Sequence, residues 1–408
     1  MKVLWMATSP SLYDEQKVMG WIASLERIVR KYCPEVELGI TFEYDDDKFK
    51  VKRDNVTYYP LNLHKTAKDV WRMKWNGNDD WYLKRPLLHK VIDDFQPDII
   101  HCFGSEWNWA LITQETDIPV VIHMQGFINI YHHAASMVKK APPSVWYNIK
   151  HPREVLQRIF LKSYSVHRNQ NELQIMKSCR YFMGRTEWDR NICKYFSSGS
   201  IYYHCPEAIR PEIYDSNVHW QYRHDKKLRI VTIASAGDLK GNGIILQTAK
   251  LLKDMGVDFE WRVSGNISHF MAFERSEGIH HEDVNVQLLG FISASDVTKE
   301  LLNAELFVLP SIMDNSPNSL CEAQLVGCPV VATYVGGVPQ MVENSRTGIL
   351  YPYAEPHTLA FTLMNLHGNE SLLSELSRNE IIMAKERHNP QKIADRLVEI
   401  YTDIINNK

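Results

Sequence analysis

The densest group of residues that could do chemistry lies in the segment SIMDNSPNSLCEAQLVGCPVVATYVGGVP, residues 311–339. Ser316 followed by Pro317 is typical of a helix start, with the serine as N-cap and the proline in the first helical position. A helix starting there would offer its first backbone N–H groups to an anion such as a phosphate. These groups belong to Asn318, Ser319 and Leu320.

Two carboxylates accompany this helix start. Asp314 comes just before it, and Glu322 lies about one turn inside it. A carboxylate accepts charge-assisted hydrogen bonds from hydroxyl groups, such as those of a sugar or a ribose. Gly336 and Gly337, which follow the run PVVATY, permit close approach of the backbone to a ligand. The pattern is compatible with a site for a phosphorylated sugar or nucleoside, and also with ordinary helix capping.

The same segment resembles the retaining glycosyltransferases of family 4. Residues 314–322 match the E-x7-E motif of that family, with aspartate replacing the first glutamate, and EAQLVGCPVVATYVGGVPQMVENSRTGIL continues the match. The similarity is dense from about residue 228 to 366, and thinner in the first half, where it includes a glycine loop near Gly20 and the runs PDIIHCFG and PVVIHMQG. The resemblance implies a GT-B fold, in which two Rossmann-like, doubly wound parallel-sheet domains face an inter-domain cleft.

By this resemblance, several residues of the second half acquire roles. Asp314 would contact the hydroxyls of the donor sugar, and Glu322 those of the ribose. The N–H groups of Ser319 and Leu320 would hold the diphosphate. Lys240, in AGDLKGNG, matches the diphosphate-binding lysine of the family, whose charge would stabilise the leaving group.

Four further positions follow from the same resemblance. His123 matches a histidine that faces the donor sugar, and Phe291 falls where the family holds the base through backbone atoms. Ser235, a candidate phosphate ligand, occupies a position that usually carries an arginine. The family's second cation is therefore missing there, and Arg185 is a candidate to supply it. Without the resemblance, His123 is also compatible with a structural histidine, and Gly20 with a residue that only shapes a turn.

The elements that must position these residues are recognisable as short apolar runs between amphipathic stretches. Such continuous runs favour fully buried parallel strands, and repeated strand–helix units predict a doubly wound α/β sheet in each half. In the first half, the runs cover residues 2–8, 36–43, 98–104, 119–126, 181–186 and 200–206. In the second half, they cover residues 228–234, 258–265, 284–290, 306–311 and 329–334.

A polar segment at 206–227 separates the two halves. We therefore predict an N-terminal domain at 1–214 and a C-terminal domain at 215–389. The family resemblance implies that the first lies on the acceptor side and that the second binds the nucleotide sugar. The amphipathic final helix, about 390–408, comes after the last strand–helix unit, and its spacing leaves open whether it packs back on the first domain.

The composition excludes several classes of protein. The 408 residues carry 46 Lys+Arg and 49 Asp+Glu, a formal net charge of −3, which is far from the basic footprint of a nucleic-acid binder. Hydrophobic residues make up 44% and charged residues 23%, as in ordinary globular proteins. The 7 cysteines are scattered without a C-x-x-C pair, which indicates buried reduced thiols. With no long apolar segment, the sequence predicts a cytoplasmic protein.

Residues 136–170 differ in composition from the rest of the chain. They carry many Lys and Arg residues, a single acid at Glu154, and interleaved aromatic residues. This pattern is compatible with a peripheral contact at the inner face of an anionic membrane, or with a lipid-diphosphate acceptor. A solvated helical face with some core contacts is the more ordinary interpretation.

Two features resemble metal sites but predict none. The run at 45–47, Asp-Asp-Asp, resembles a D-x-D motif that binds a divalent ion, yet a charge run between strands is usually a solvated loop. The adjacent pairs His132-His133 and His280-His281 lack ligand spacing. We therefore expect no metal and no cofactor beyond a nucleotide-sugar donor.

Together these features predict a metal-independent enzyme that moves a sugar, with retention of configuration, from a nucleoside-diphosphate sugar to a hydroxyl of a glycan or lipid-linked acceptor. The resemblance suggests surface polysaccharide biosynthesis. Two alternatives stay open at this point. One is a GT-B epimerase that acts on nucleotide sugars, and the other is a non-catalytic nucleotide-sugar-binding protein.

Overall fold

A computed structural model describes residues 1–14, 20–76, 79–137, 152–233 and 237–407, apart from the side chains of Lys74, Met137 and 152–164. The chain forms two compact units. As far as it is described, the first unit holds residues 1–133, 141–208 and 390–408, and the second holds 134–140 and 209–389. The final segment thus lies in the first unit, which the amphipathic pattern alone had left open.

The first unit is built on a sheet of eight described strands, in the spatial order β3-β4-β2-β1-β5-β6-β7-β8. The strands are β1 (Lys2–Met6), β2 (Glu37–Glu43), β3 (Val51–Arg53), β4 (Val56–Leu61), β5 (Ile99–Phe103), β6 (Val120–His123), β7 (Tyr181–Gly184) and β8 (Ile201–His204). All neighbours are parallel except β3 and β4. The described helices are α1 (Gly20–Tyr32), α2 (Ala67–Trp75), α3 (Trp81–Phe95), α4 (Ile128–Met137), α5 (Pro152–Ser178) and α6 (Glu187–Phe196), with a 3₁₀ segment at Asn108–Gln114. The residues of α4 from 134 onwards are counted in the second unit.

The alternation of side chains along β1 explains why this sheet is buried on both faces. Val3 and Trp5 belong to one apolar cluster, and Leu4 and Met6 belong to another. Successive residues of a strand point to opposite faces, so a strand that carries apolar residues at every position needs a covering layer on each side. The unbroken apolar runs therefore predicted the parallel α/β architecture correctly.

The last helix of the chain, α15 (Pro390–Asn406), covers part of one face of this sheet. Its Tyr401 hydroxyl accepts a hydrogen bond from Trp5 Nε1 at 3.0 Å and lies 2.6 Å from His101 Nδ1. Tyr181 donates to the Asn407 carbonyl at 3.0 Å. Buried polar contacts of this kind fix the position of the helix on the sheet, beyond what its apolar face alone would do.

The second unit contains a sheet of six described strands, in the order β11-β10-β9-β12-β13-β14. The strands are β9 (Leu228–Ile233), β10 (Phe259–Ser264), β11 (Val286–Gly290), β12 (Leu306–Leu309), β13 (Val330–Thr333) and β14 (Ile349–Tyr351), and all of their pairings are parallel. The described helices are α7 (Pro211–Tyr214), α8 (Asn242–Asp254), α9 (Ile267–Glu277), α10 (Ala294–Asn303), α11 (Asn318–Val326), α12 (Val338–Met341), α13 (Pro356–Leu366) and α14 (Glu370–Arg387). Two short 3₁₀ segments lie at Asp238–Lys240 and Glu282–Val284.

Three strands were not anticipated from the sequence. In β4, Pro60 weakens the strand pattern of the sequence, because proline cannot donate a ladder hydrogen bond. Its neighbour β3 pairs only with residues 56–58, so no β3 residue is paired opposite Pro60. Both β3 and β14 are three-residue edge strands, and segments that short carry little periodic signal.

Two observations bear on the environment of the chain. All seven cysteines are free and buried, which confirms the prediction of buried thiols. None of the described helices is long and apolar enough to cross a bilayer.

Candidate functional site

The carboxyl edge of the second sheet brings together the loops after β9 and β12, where the sequence placed its main candidates. Ile312 N–H donates to the Leu239 carbonyl at 2.7 Å and ties the two loops to each other. Gly241 lies at φ +76°, and a Cβ at this residue would be 1.9 Å from the Pro310 carbonyl oxygen. Only glycine therefore permits the approach of the two loops that places Lys240 beside residues 311–317.

The central contact of this edge is an ion pair between Lys240 and Asp314. Lys240 Nζ lies 2.7 Å from Asp314 Oδ2, and both side chains are largely buried. The Ser311 hydroxyl donates to the same oxygen at 3.1 Å, and the Ser311 carbonyl accepts from the Thr333 hydroxyl at 2.6 Å. The structure thus brings together two residues that are 74 positions apart in the sequence, and each orients the other.

The Gly336-Gly337 loop packs against the backbone of Asp314. Gly337 N–H donates to the Asp314 carbonyl at 3.1 Å. Gly336 has φ +53°, and a Cβ there would be 1.8 Å from the same carbonyl oxygen. The two glycines were predicted to permit close approach to a ligand, and in the structure their close approach is to the loop that carries Asp314.

The helix after this loop begins one residue later than the sequence predicted. Helix α11 starts at Asn318, with Pro317 rather than Ser316 at the N-cap and no side-chain capping hydrogen bond. Leu320 N–H donates to the Pro317 carbonyl at 3.0 Å, so it is not open to an anion as expected. Within the described part of the chain, the N–H groups of Asn318 and Ser319 make no hydrogen bond, and these two point from a positive helix end.

Glu322 does not stand free beside the helix start but pairs with a residue that the sequence analysis missed. Arg210 Nε and Nη2 lie 2.6 and 2.5 Å from Glu322 Oε1. Burial raises the pKa of Glu322, and the charge of Arg210 opposes that rise. Arg210 lay in the polar segment at 206–227, which was interpreted as a seam, and no local motif in that segment indicated a partner for Glu322.

The two remaining candidates of the second unit are placed differently. Phe291 follows β11 at the same carboxyl edge, and its side chain is 70% exposed. The neighbouring Gly290 carbonyl accepts from Gly265 N–H at 2.9 Å, which ties the ends of β10 and β11 together. Ser235 lies outside the described residues.

In the first unit, His123 is completely buried at the carboxyl end of β6. Its ring centre lies 4.7 Å from that of Trp21 and 5.3 Å from that of His101. Neither ring nitrogen has a hydrogen-bond partner among the described residues. Burial lowers the pKa of His123 well below its usual value. A ligand can reach this neutral imidazole only after neighbouring side chains move.

Other first-unit candidates surround the same strand ends. The Arg185 guanidinium lies 4.5 Å from the centre of the Trp21 ring and 4.0 Å from Glu207 Oε2. Gly20 is the first residue of α1, at φ +82°, with no described atom within 4 Å of a Cβ position. The positive φ favours glycine for a backbone reason alone, which is the turn-shaping role left open above.

The sequence analysis also missed Glu106, which follows β5 in the first unit. Burial raises the pKa of Glu106 to about 7. Its Oε2 is enclosed and accepts no hydrogen bond in the described parts of the structure. A single glutamate between apolar runs carries no motif, so only tertiary packing identifies it.

The remaining sequence features have ordinary explanations where they are described. Asn62 donates to both Asp45 and Asp47 at 3.1 Å, and Asp46 accepts from the Tyr13 hydroxyl. Most of 136–170 lies outside the described residues or has no described side chains, so the membrane contact stays a prediction. Arg168, near the end of that stretch, donates to the Glu106 carbonyl at 2.7 Å.

Comparison with known sequences finds similarity to glycosyltransferases, and the match to a family model lies in the second unit. Residues 227–369 match the family model of the group 1 glycosyl transferases, and this range contains both Lys240 and Asp314. The amylovoran biosynthesis glycosyltransferase AmsK of Erwinia amylovora is 30% identical over 172 residues. This match covers 40% of the present chain and 41% of AmsK, so the chain spans well under half the length of this relative.

Comparison with solved structures covers both units. Sucrose-phosphate synthase from Thermosynechococcus elongatus superposes with a TM-score of 0.73 at 12% identity and full coverage of both chains. Anabaena HepE in complex with UDP-glucose gives 0.65 at 14% identity, covering 99% of this chain and 100% of HepE. At such low identity these likenesses establish the fold alone, and they confirm the prediction that the chain has the GT-B fold.

Proposed function

We propose that this protein is a glycosyltransferase that moves a sugar from a nucleoside-diphosphate sugar to a hydroxyl of a glycan or lipid-linked acceptor, with retention of configuration. The match of residues 227–369 to the group 1 glycosyl transferases supports the reaction class. The name of AmsK, a glycosyltransferase of amylovoran biosynthesis, supports a role in the assembly of a surface polysaccharide. The UDP-glucose in HepE supports a nucleotide-sugar donor.

The observation that carries the proposal is the Lys240–Asp314 contact of 2.7 Å beside the start of α11. An ammonium group and two unpaired helix N–H groups together suit a diphosphate. A carboxylate next to them suits the hydroxyls of a sugar attached to that diphosphate. A nucleoside-diphosphate sugar presents both groups side by side.

The chemistry follows from where charge develops. When the bond between the sugar and the diphosphate breaks, negative charge grows on the leaving oxygen, and a preorganised cation and N–H dipoles stabilise it. Lys240 would exchange its contact with Asp314 for the diphosphate, which frees the carboxylate to accept from the sugar hydroxyls. The acceptor hydroxyl would attack the face from which the diphosphate departs and pass its proton to the departing diphosphate oxygen, so the reaction would need no enzyme nucleophile.

We further propose that no metal is needed, because Lys240 and the helix start supply the charge neutralisation that a divalent ion supplies elsewhere. Transfer measured with and without EDTA tests this point separately from the rest. An activity abolished by EDTA and restored by Mg²⁺ or Mn²⁺ would refute the metal independence and leave the donor site unaffected.

The test of the donor site is a thermal-shift series with UDP, GDP, ADP and CDP. A ligand that binds only the folded protein raises the unfolding temperature with its concentration. We expect one of the four to raise it, and the corresponding nucleotide sugars then serve as donors in a product assay that also reports the configuration of the new bond. If none of the four shifts the transition, the proposed function is wrong.

A further inference from the structure

Two arginine–glutamate pairs of the second unit differ in how the arginine engages the carboxylate. Arg262, on β10, contacts both oxygens of Glu300, with Nε 2.6 Å from Oε2 and Nη2 2.8 Å from Oε1. Arg210 places two of its nitrogens on Oε1 of Glu322 alone. The first arrangement uses the whole carboxylate, as a stabilising ion pair usually does. The second leaves Oε2 without a hydrogen bond from any described residue.

The position of Arg210 is fixed by its own backbone. Its carbonyl accepts from Ile213 N–H at 3.0 Å and from Tyr214 N–H at 3.1 Å, which makes it the N-cap of α7. Ile213 is buried in the apolar cluster of the second unit. These contacts fix the backbone from which the Arg210 side chain extends. That side chain is 36% exposed, whereas that of Glu322 is 5% exposed.

Such burial is unfavourable for a lone carboxylate, because desolvation disfavours the charged form. A protonated Glu322 would be a weak acceptor and would compete as a donor. The adjacent guanidinium opposes the rise in the pKa of Glu322 and so favours the charged form. The carboxylate can then accept hydrogen bonds from hydroxyls through its remaining oxygen.

From these contacts we propose that Arg210 is a positioning residue for nucleoside recognition. It contacts Oε1 of Glu322 and thereby presents Oε2 to the vicinal hydroxyls of a ribose, so the pair selects ribonucleoside over dideoxyribonucleoside diphosphates. The inference rests on the proposed function, since it assumes that a nucleoside diphosphate binds at this edge. Arg210 itself touches no part of the ligand in this proposal and acts only through Glu322.

The test compares the affinity of the active ribonucleoside diphosphate with that of its 2′,3′-dideoxy counterpart, by titration calorimetry. Wild type should prefer the ribose form. In Arg210→Met, we expect the affinity for the ribose form to fall about tenfold, the size of one lost charge-assisted hydrogen bond. The affinity for the dideoxy form should change less than about twofold, so the preference collapses.

Two further variants separate positioning from a merely structural effect. Arg210→Lys keeps the positive charge but loses one of the two nitrogens that contact Oε1 of Glu322. It should therefore retain part of the preference for ribose that Arg210→Met loses. In a Glu322→Gln background, Arg210→Met should have no additional effect, because the residue through which it acts is already changed. Arg262→Met is the matched control, since Arg262 is 32% exposed and pairs with Glu300, and it should leave the preference unchanged.

The outcomes that overturn the inference differ from the one that overturns the proposed function. If Arg210→Met weakens the ribose and dideoxy forms equally, and does so also with Glu322→Gln, Arg210 contacts the diphosphate directly and the inference is wrong. If Arg210→Met changes neither affinity, the pair is structural, and the inference is again wrong. If wild type binds none of the four nucleoside diphosphates, the proposed function fails and the inference with it.

Discussion

The carboxyl edges of the two sheets hold their ionisable groups in different ways. In the second unit, Lys240 lies 2.7 Å from Asp314 and Arg210 2.5 Å from Glu322, so opposite charges are paired. In the first unit, His123 is buried without a hydrogen-bond partner among the described residues, and Glu106 Oε2 is enclosed in the same way. Burial lowers the pKa of His123 and raises that of Glu106 to about 7.

The difference indicates which ligand chemistry each edge can serve. An opposite charge nearby favours the ionised form of a buried group, and the group can exchange that partner for a charged or hydroxyl-bearing ligand. An unpaired buried group shifts towards its neutral form and offers only ordinary hydrogen bonds. The edge of the second unit, with its two close ion pairs, is therefore where we place the diphosphate in the proposed function.

The largest effect is expected from removing one charge of the central pair. Lys240→Ala should lower the rate of transfer about 100-fold, because one preorganised charge on a leaving group contributes on that order. Asp314→Asn should also lower it at least about tenfold through the lost contact with sugar hydroxyls. Initial rates with the donor found in the thermal-shift series check both variants.

Lys250→Ala is the matched control for this prediction. Lys250 Nζ also lies 2.7 Å from a carboxylate oxygen, that of Asp254, but both side chains are about half exposed. An exposed pair contributes little to stability or to the site. If Lys240→Ala loses no more activity than Lys250→Ala, the paired edge of the second unit is not the site.

A smaller effect is expected when the support of Asp314 is disturbed while its charge is kept. Gly336→Ala would place a Cβ 1.8 Å from the Asp314 carbonyl oxygen, so the loop must shift and transfer should fall about tenfold. Gly368→Ala introduces a similar positive-φ strain at +76° with no described atom within 4 Å. Both variants should unfold at lower temperature, and only the first should lose activity.

In the first unit, the corresponding test changes a buried group that has no hydrogen-bond partner among the described residues. His123→Leu removes two buried nitrogens that lack partners, so the free energy of unfolding should fall by less than about 1 kcal/mol despite the altered packing. If His123 contacts the donor sugar, as the family resemblance implies, the rate should nevertheless fall about tenfold, the effect of one lost hydrogen bond to a ligand. Unchanged activity would show that His123 does not contact the donor sugar.

The sequence predicted the second unit better than the first, and the structure shows the physical reason. Asp314, Ser319 and Glu322 lie within nine residues, so one helix start places them together. Lys240 could be added only through the family resemblance, because the contact that joins it to Asp314 depends on the packing of Gly241 against Pro310. Arg210 could not be found, since its pairing spans 112 residues without a local pattern.

Most strands were predictable because the signal for a buried strand lies within a few consecutive residues. Buried parallel strands need apolar residues on both faces, so β1, β5 and β12 appear directly as apolar runs. Helix starts are less certain, because Ser316-Pro317 satisfies the usual capping pattern and yet Pro317 is the N-cap. The loop geometry around Asp314 overrides the local preference there.

Glu380 extends the comparison, because it is a buried carboxyl of the second unit whose two oxygens have no hydrogen-bond partner among the described residues. It lies on α14 and is completely buried, and this burial raises its pKa well above the usual value. An acid whose folded pKa is raised contributes full stability below its unfolded pKa, and this stability is lost as the pH rises towards the folded pKa. Wild type should therefore lose stability between pH 4 and pH 8 relative to Glu380→Gln.

At pH 8, we expect the free energy of unfolding of Glu380→Gln to be about 1–3 kcal/mol higher than that of wild type. At pH 4, the two proteins should have similar free energies of unfolding. Denaturant titrations at the two pH values measure the difference. Glu375→Gln, on the exposed side of the same helix, should show no such dependence. A Glu380→Gln variant that is less stable at both pH values would mean that the ionised carboxylate is stabilised in place. The contrast between paired and unpaired buried carboxyls would then not hold within the second unit.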